Sequence, residues 1–289
     1  MIRIFTDTSA NLPLSVIERY KLTVLPFTYI IDNEVYAETA DFDGKKFYGA
    51  MAAGTKVQTS MVNAFVFYEA FEQALKADHD VLYIGMSGGI SGTFKEAQIA
   101  VNDLGEKYPQ RRLCAFNTLT ASMGEGLQVM YAADLAAKGL PFDEIVAKLE
   151  KNRDGMCSYF TVDDLGYLLN TGRISRFSAK MGTVLQIKPI LTNNEEGQII
   201  LHHKVRTRKK SLQALVNHYD ELITDRSAVC SLAHADSPED AAFVEAKMRE
   251  KGFCGEMITV MYEPVTGSHV GPGAVALFFH SGKKAAEKI

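Results

Sequence analysis

The stretch that most constrains this chain is a junction. The apolar run Val81-Leu82-Tyr83-Ile84-Gly85-Met86 passes straight into Ser87-Gly88-Gly89-Ile90-Ser91-Gly92-Thr93, and Phe94-Lys95-Glu96-Ala97 opens a helical pattern behind it. A buried strand, a turn of glycines and hydroxyls, and then a helix is a geometry that holds an anion. Glycines admit close backbone approach, and first-turn N–H groups with the helix dipole favour negative charge. The pattern alone does not say which anion.

Two more units of the same kind flank it. Ile2-Arg3-Ile4-Phe5 reads as a strand running into Thr6-Asp7-Thr8-Ser9-Ala10-Asn11, with Pro13 at the first helical position and residues 15–20 as helix body. Leu113-Cys114-Ala115-Phe116 runs into Asn117-Thr118-Leu119-Thr120-Ala121-Ser122 and a helix over 124–137. Three strand–loop–helix units predict an α/β fold with a largely parallel sheet flanked by helices. Their loops emerge at the carboxyl ends of the strands, where such sheets bind ligands. None of the three loops carries His, Lys or Arg. They offer hydrogen bonds, not acid–base chemistry. Between the first two units, residues 22–31 and 34–36 read as two strands about the turn Asp32-Asn33, followed by helices at 46–53 and 63–76.

After a helix over 141–151 the pattern changes. Strands are expected at 156–162, 228–233 and 256–260, a hairpin at 185–191 and 198–205, and helices at 162–169, 209–222 and 238–251. This predicts a second α/β domain with a mixed sheet, dividing the chain into 1–156 and 157–289 with a packed interface and a cleft between. A length of 289 residues suits two domains. With 23% charged residues and a net charge of −4, nothing global favours nucleic acid or a membrane surface. Cys114, Cys157, Cys230 and Cys254 are scattered without a C-x-x-C, so free thiols of a reducing cytoplasm are expected rather than disulfides or a zinc site. The chain opens on a strand with no leader pattern and has no stretch of membrane-spanning length. A cytoplasmic protein is expected.

Some single residues invite chemistry. The 87–93 loop is not a nucleophile elbow, because Thr93 stands where G-x-S-x-G needs its last glycine; it also lacks the lysine of a P-loop. Ser91 either caps a helix or faces a ligand, and the same choice holds for Thr59-Ser60. Arg173, after a glycine turn, makes either a surface ion pair or a ligand contact. Gly267-Ser268-His269-Val270-Gly271-Pro272-Gly273 sets an imidazole in what reads as a rigid turn among three glycines, which suggests a ligand-facing role. The basic run over 204–210 is either a solvated helix start or, because it enters a helix against its dipole, a docking or phosphate-neighbouring segment. Phe65-Val66-Phe67-Tyr68 and Phe71 fit a helix core face.

Taken together, several motifs resemble the DegV family of bacterial fatty-acid-binding proteins along the whole chain. They are residues 6–13, Thr59-Ser60, residues 87–93, Ser122-Met123-Gly124, Asp163-Asp164-Leu165 with Tyr167-Leu168, Gly172-Arg173-Ile174-Ser175, Lys188-Pro189-Ile190-Leu191, Lys204-Val205-Arg206 and residues 269–273. The resemblance implies two α/β domains with one long-chain fatty acid between them. Its carboxylate would meet Thr59 and Ser91, beside Ser60 and Gly92, with Arg173 and His269 nearby and the tail in an apolar tunnel. It implies no catalytic residue, no metal and no cofactor other than the bound fatty acid. In some bacteria such proteins are carrier subunits of a fatty acid kinase, whose separate ATP-binding subunit makes acyl phosphate for phospholipid synthesis. Arg206 matches a position implicated in that partnership. The chain departs from the family pattern at Met61-Val62-Asn63, Gly88, Thr171 and Thr207, and Asp7 has no assigned role. The rival reading is a serine-dependent acyl hydrolase or small phosphotransferase. It would need Ser91 Oγ within reach of His269 and an acid behind the imidazole.

Overall fold

The computed structural model describes residues 1–37, 42–174 and 187–282. Along the first half run β1 (Ile2–Asp7), α1 (Leu14–Tyr20), β2 (Thr23–Leu25), β3 (Thr28–Ile31), β4 (Glu34–Ala37), α2 (Gly44–Ala52), β5 (Gln58–Ser60) and α3 (Ala64–Lys76). Then come β6 (Asp80–Gly85), α4 (Thr93–Lys107), β7 (Leu113–Asn117), α5 (Met123–Ala137) and α6 (Phe142–Gly155). β2, β1, β6 and β7 form one sheet in that order, parallel throughout. Side chains alternate across it, as the strand period of two requires. Phe5 and Tyr83 pack with Phe67, Phe71 and Leu104 on one face. Ile4, Leu82 and Ile84 pack with Val129, Ile145 and Leu149 on the other. Helices on both faces explain why β6 is apolar at nearly every position.

The run over 22–31 divides at Pro26, which has no N–H for a ladder. β2 joins the parallel sheet, whereas β3 pairs antiparallel with β4 and β5 in a separate three-stranded sheet. Asp32 and Asn33 both take positive φ, the type I′ signature that suits a two-residue hairpin. The core face of α3 is Phe67, Phe71, Ala74 and Leu75, at i, i+4, i+7 and i+8. Phe65 is not on it: that ring is 71% exposed.

The second half contains β8 (Met156–Thr161), α7 (Gly166–Asn170), β9 (Ile187–Asn193), β10 (Ile199–Arg206), α8 (Arg208–Leu222), β11 (Cys230–His234), α9 (Pro238–Glu250), β12 (Met257–Met261), α10 (Pro264–Val270) and β13 (Val275–His280). Its sheet runs β10-β9-β8-β13-β11-β12, antiparallel except for the β11–β12 pair, and so is mixed as expected. Ser175 and the first residues of the strand expected at 185–191 lie outside the described residues. Phe47, Tyr48 and Met51 of α2 and Met123 of α5 share a core with Phe160, Leu168 and Val270 of the second half. The cysteines are free thiols, and no helix among the described residues is long and apolar enough to cross a membrane.

Candidate ligand site

The 87–93 loop is held from within and from across the molecule. Ser87 is fully buried; its Oγ donates to Gly197 O at 2.8 Å and accepts from Gly89 N at 3.0 Å. Gly197, at the tip of the β9–β10 hairpin, has φ +72, and a Cβ there would collide with Ser87 Oγ. A Cβ on Gly89 would lie 2.6 Å from Glu196 O. These two glycines thus serve a close approach between loop and hairpin. Ser91 Oγ lies 2.9 Å from Thr93 Oγ1 and accepts from Thr93 N at 3.3 Å, just ahead of α4, whose N-cap is Gly92.

Thr59 and Ser60 end β5 rather than cap α3. That cap is Asn63, whose side chain accepts from Val66 N at 3.1 Å. His269 likewise departs from the expected turn, for it occupies the last turn of α10. That helix starts with Pro264 at its first position and with Glu263 accepting from Thr266 N at 2.6 Å. The glycines around His269 accommodate protein side chains, not a ligand. A Cβ on Gly267 would meet Tyr48, one on Gly271 would meet Tyr167, and one on Gly273 would meet Asp163.

These elements converge. Thr59, Ser60, Ser91, Gly92, Arg173 and His269 all line one cavity of ≈ 600 Å³. Its remaining wall is largely apolar, with Phe27, Met86, Ile90, Leu168, Ile199 and Val265. Thr59 Oγ1 lies 3.1 Å from His269 Nε2. Arg173 Nη1 donates to Thr171 O at 2.7 Å, and burial lowers the pKa of its guanidinium. Burial first, and the Arg173 charge second, push the His269 imidazole down to about 3, so it is neutral at physiological pH. His269 Nδ1 and Thr266 Oγ1 are buried without a hydrogen-bond partner among the described residues. Among the described residues Ser91 Oγ makes no hydrogen bond to His269, and no carboxylate accepts from that imidazole.

The family departures have local accounts. Thr171 takes φ −92 and donates from Oγ1 to Tyr167 O at 2.8 Å, closing α7 without strain. Gly88 is exposed, and a Cβ would find only ordinary contacts. Thr207 differs: its φ +75 and ψ 149 lie in a region favourable only to glycine. Within the basic run, Arg208 pairs within the protein, with Asp240 (2.8 Å) and Asp163 (3.6 Å). Arg206 is exposed and has no ion-pair partner among the described residues.

Asp7 belongs to a fully buried polar cluster that the sequence did not reveal. It accepts from Ser9 N at 2.9 Å and from Tyr83 Oη; Glu125 accepts from Ser9 Oγ and Thr6 Oγ1, both at 2.9 Å. Burial raises both carboxyl pKa values, and the Asp7 charge raises that of Glu125 further. A second cavity of ≈ 810 Å³ borders this cluster at Thr6, Asp7 and Asn11.

A parallel sheet and a mixed sheet, with an apolar cavity whose wall carries a hydroxyl, an imidazole and a guanidinium, define the class as α/β. The chain belongs to the DegV family, described as "Uncharacterised protein, DegV family", which it matches over residues 1–282. It is 37% identical over 279 residues to a DegV domain-containing protein of Clostridium perfringens, covering 96% of each chain. Among solved structures it resembles a fatty-acid-binding DegV family protein from Thermus thermophilus, with TM-score 0.88 and 25% identity over 97% of this chain and 99% of that one. A fatty acid binding DegV family protein from Streptococcus agalactiae is similar at TM-score 0.87 and 30% identity, over 96% and 98%.

Proposed function

We propose that this protein binds one long-chain fatty acid in the cavity between residues 1–156 and 157–289, and carries it without catalysis of its own. The observation that carries the reading is the Thr59–His269 pair at 3.1 Å, beside Arg173 in the wall of an otherwise apolar cavity of ≈ 600 Å³. A carboxylate leaving water needs hydrogen bonds or a counter-charge. Thr59 and Ser91 supply donors, a neutral His269 can donate from one ring nitrogen, and Arg173 supplies the charge. Each methylene buried in the apolar part contributes about 0.8 kcal/mol gross, offset partly by ordering the chain and by association. The volume lies within the usual range of small-molecule pockets. The two solved relatives described as fatty acid binding support the reading at the level of the ligand class.

In this reading the bound acid is presented to a separate ATP-binding kinase subunit in the cytoplasm, and exposed Arg206 helps to dock that subunit. The head group needs no nucleophile or base from this chain, because the phosphate donor is on the partner. Organic extraction of the purified protein followed by mass spectrometry tests the ligand. A stoichiometric fatty acid, or uptake of oleate or palmitate by delipidated protein that falls in Arg173→Ala, is expected. A protein that neither carries fatty acid nor takes it up would sink the proposal. The partnership is tested separately: Arg206→Ala should retain fatty acid but lose acyl phosphate formation with the kinase subunit and ATP.

A further inference from the structure

A group of three imidazoles lies outside the cavity wall. His202 and His203 are consecutive on β10, where a regular strand would send them to opposite faces. The β9–β10 ladder shifts register between Leu201 and His203: Leu201 pairs with Leu191 and His203 with Ile190, which leaves His202 as an extra residue. Such a bulge re-aims side chains, and here it brings both rings to one side. Their Nδ1 atoms lie 2.8 Å apart. His218 reaches them from α8, its ring 4.8 Å from that of His202 and 5.2 Å from that of His203, at steep angles of 75° and 63°. Tyr159 stacks on His218 at 4.3 Å and 11° and meets His202 edge-on.

We propose that His202, His203 and His218 form a site for one divalent transition-metal ion, with Zn²⁺ as the natural probe. One ring nitrogen from each lies within 4.8 Å of those of the other two. A tetrahedral zinc ion needs ligand nitrogens about 3.4 Å apart, from Zn–N bonds of about 2.0–2.1 Å, so small ring rotations close the site. Imidazole ligands suit zinc, copper and nickel, and not magnesium or calcium. His218 Nε2 is buried with no hydrogen-bond partner among the described residues, an arrangement that costs free energy unless something meets it. An ion there would meet it. His218 Nδ1 would then turn to Glu221, whose Oε2 is 4.0 Å away, in the manner of carboxylates that orient metal-bound histidines. Burial also lowers the pKa of all three rings, which keeps them in the neutral form that binds metal. All three residues are partly exposed, so solvent supplies a fourth ligand.

The test uses full-length protein with any affinity tag removed, stripped of metal with a chelator and titrated with ZnCl₂ against a chromogenic competitor. One equivalent with Kd on the order of 1 µM or tighter is expected. His203→Ala and His218→Asn should each weaken it at least about 10-fold. Zinc should also raise the melting temperature of the wild type and not that of His203→Ala. His218 is packed against Tyr159, so if His218→Asn fails to fold, His203→Ala decides alone. No uptake of zinc, or uptake unchanged in His203→Ala, overturns the proposal.

Discussion

Ser87 Oγ donates to Gly197 O at 2.8 Å, across a separation of 110 residues. This one bond ties the glycine loop of the parallel sheet to the tip of the β9–β10 hairpin. Ser87→Ala would take a donor from Gly197 O and an acceptor from Gly89 N. A loss of about 1–3 kcal/mol in urea unfolding is expected. Gly197→Ala should cost more, since it adds both a clash with Ser87 and a strained φ. A Gly197→Ala variant as stable as the wild type would show that loop and hairpin are not in contact.

Thr59→Val keeps volume but removes the hydroxyl that meets His269 Nε2. With one ring nitrogen already lacking a partner, affinity for oleate should fall about 10- to 100-fold, equal to about 1.4–2.8 kcal/mol, with little change in fold. Calorimetric titration of delipidated protein reads this directly.

The same imidazole gives a signed pH effect. His269 is pushed down to about 3 from an ordinary value of 6.5. Its contribution to stability is complete above pH 6.5. As pH falls from 6.5 toward 3, the unfolded chain takes up a proton that the folded site refuses, so stability is lost, at most about 1.4 kcal/mol per pH unit. His269→Asn lacks this loss. The stability advantage of wild type over variant should shrink between pH 7 and pH 4, and a constant difference would count against a buried neutral imidazole.

Asp7 and Glu125 act in the opposite sense. Both carboxyls are raised by burial, so the unfolded chain ionises first as pH rises above the ordinary Glu value of 4.5, and the wild type loses stability upward through the folded value. Glu125→Gln removes one ionisation. Its stability relative to wild type should improve as pH rises from 5 to 8 in urea titrations. A difference that moves the other way would mean the pair is ionised in the fold.

Thr207 holds φ +75 and ψ 149 at the start of α8. That backbone costs about 1–3 kcal/mol for a side chain with a branched Cβ. Thr207→Gly should recover roughly 1–2 kcal/mol after the greater unfolded-state entropy of glycine is counted, and should raise the melting temperature. A variant that melts no higher would place the strain elsewhere.

Much of this was legible. Three strands of the parallel sheet, β1, β6 and β7, are short apolar runs ended by hydroxyl-rich loops, and that local pattern is what marks them. The four polar groups Thr59, Ser91, Arg173 and His269 could be picked out, and they do line one cavity. What the sequence hid is what tertiary neighbours decide. Gly267 and Gly271 looked like room for a ligand because the rings of Tyr48 and Tyr167, which fill that room, are remote in sequence. The α10 helix was readable in part, since Glu263 and Pro264 form a start signal, but the glycines outweighed it. Pro26 splits a continuous apolar run by withholding one N–H. Glu125 gives no sign of its burial until Thr6 and Ser9 come to it. The three histidines look like one polar pair and one helix residue until the bulge turns them together.

The core in which Phe47, Tyr48 and Met51 meet Phe160, Leu168 and Val270 has a thermodynamic corollary. A chain severed after Gly155 would leave apolar faces in water on both fragments, each lacking the partner that covers it. Neither piece would then be a self-sufficient folding unit. The intact protein should lose both sheets in one cooperative melt, with calorimetric and van't Hoff enthalpies in agreement. The parallel and the mixed sheet would then differ in architecture without differing in stability.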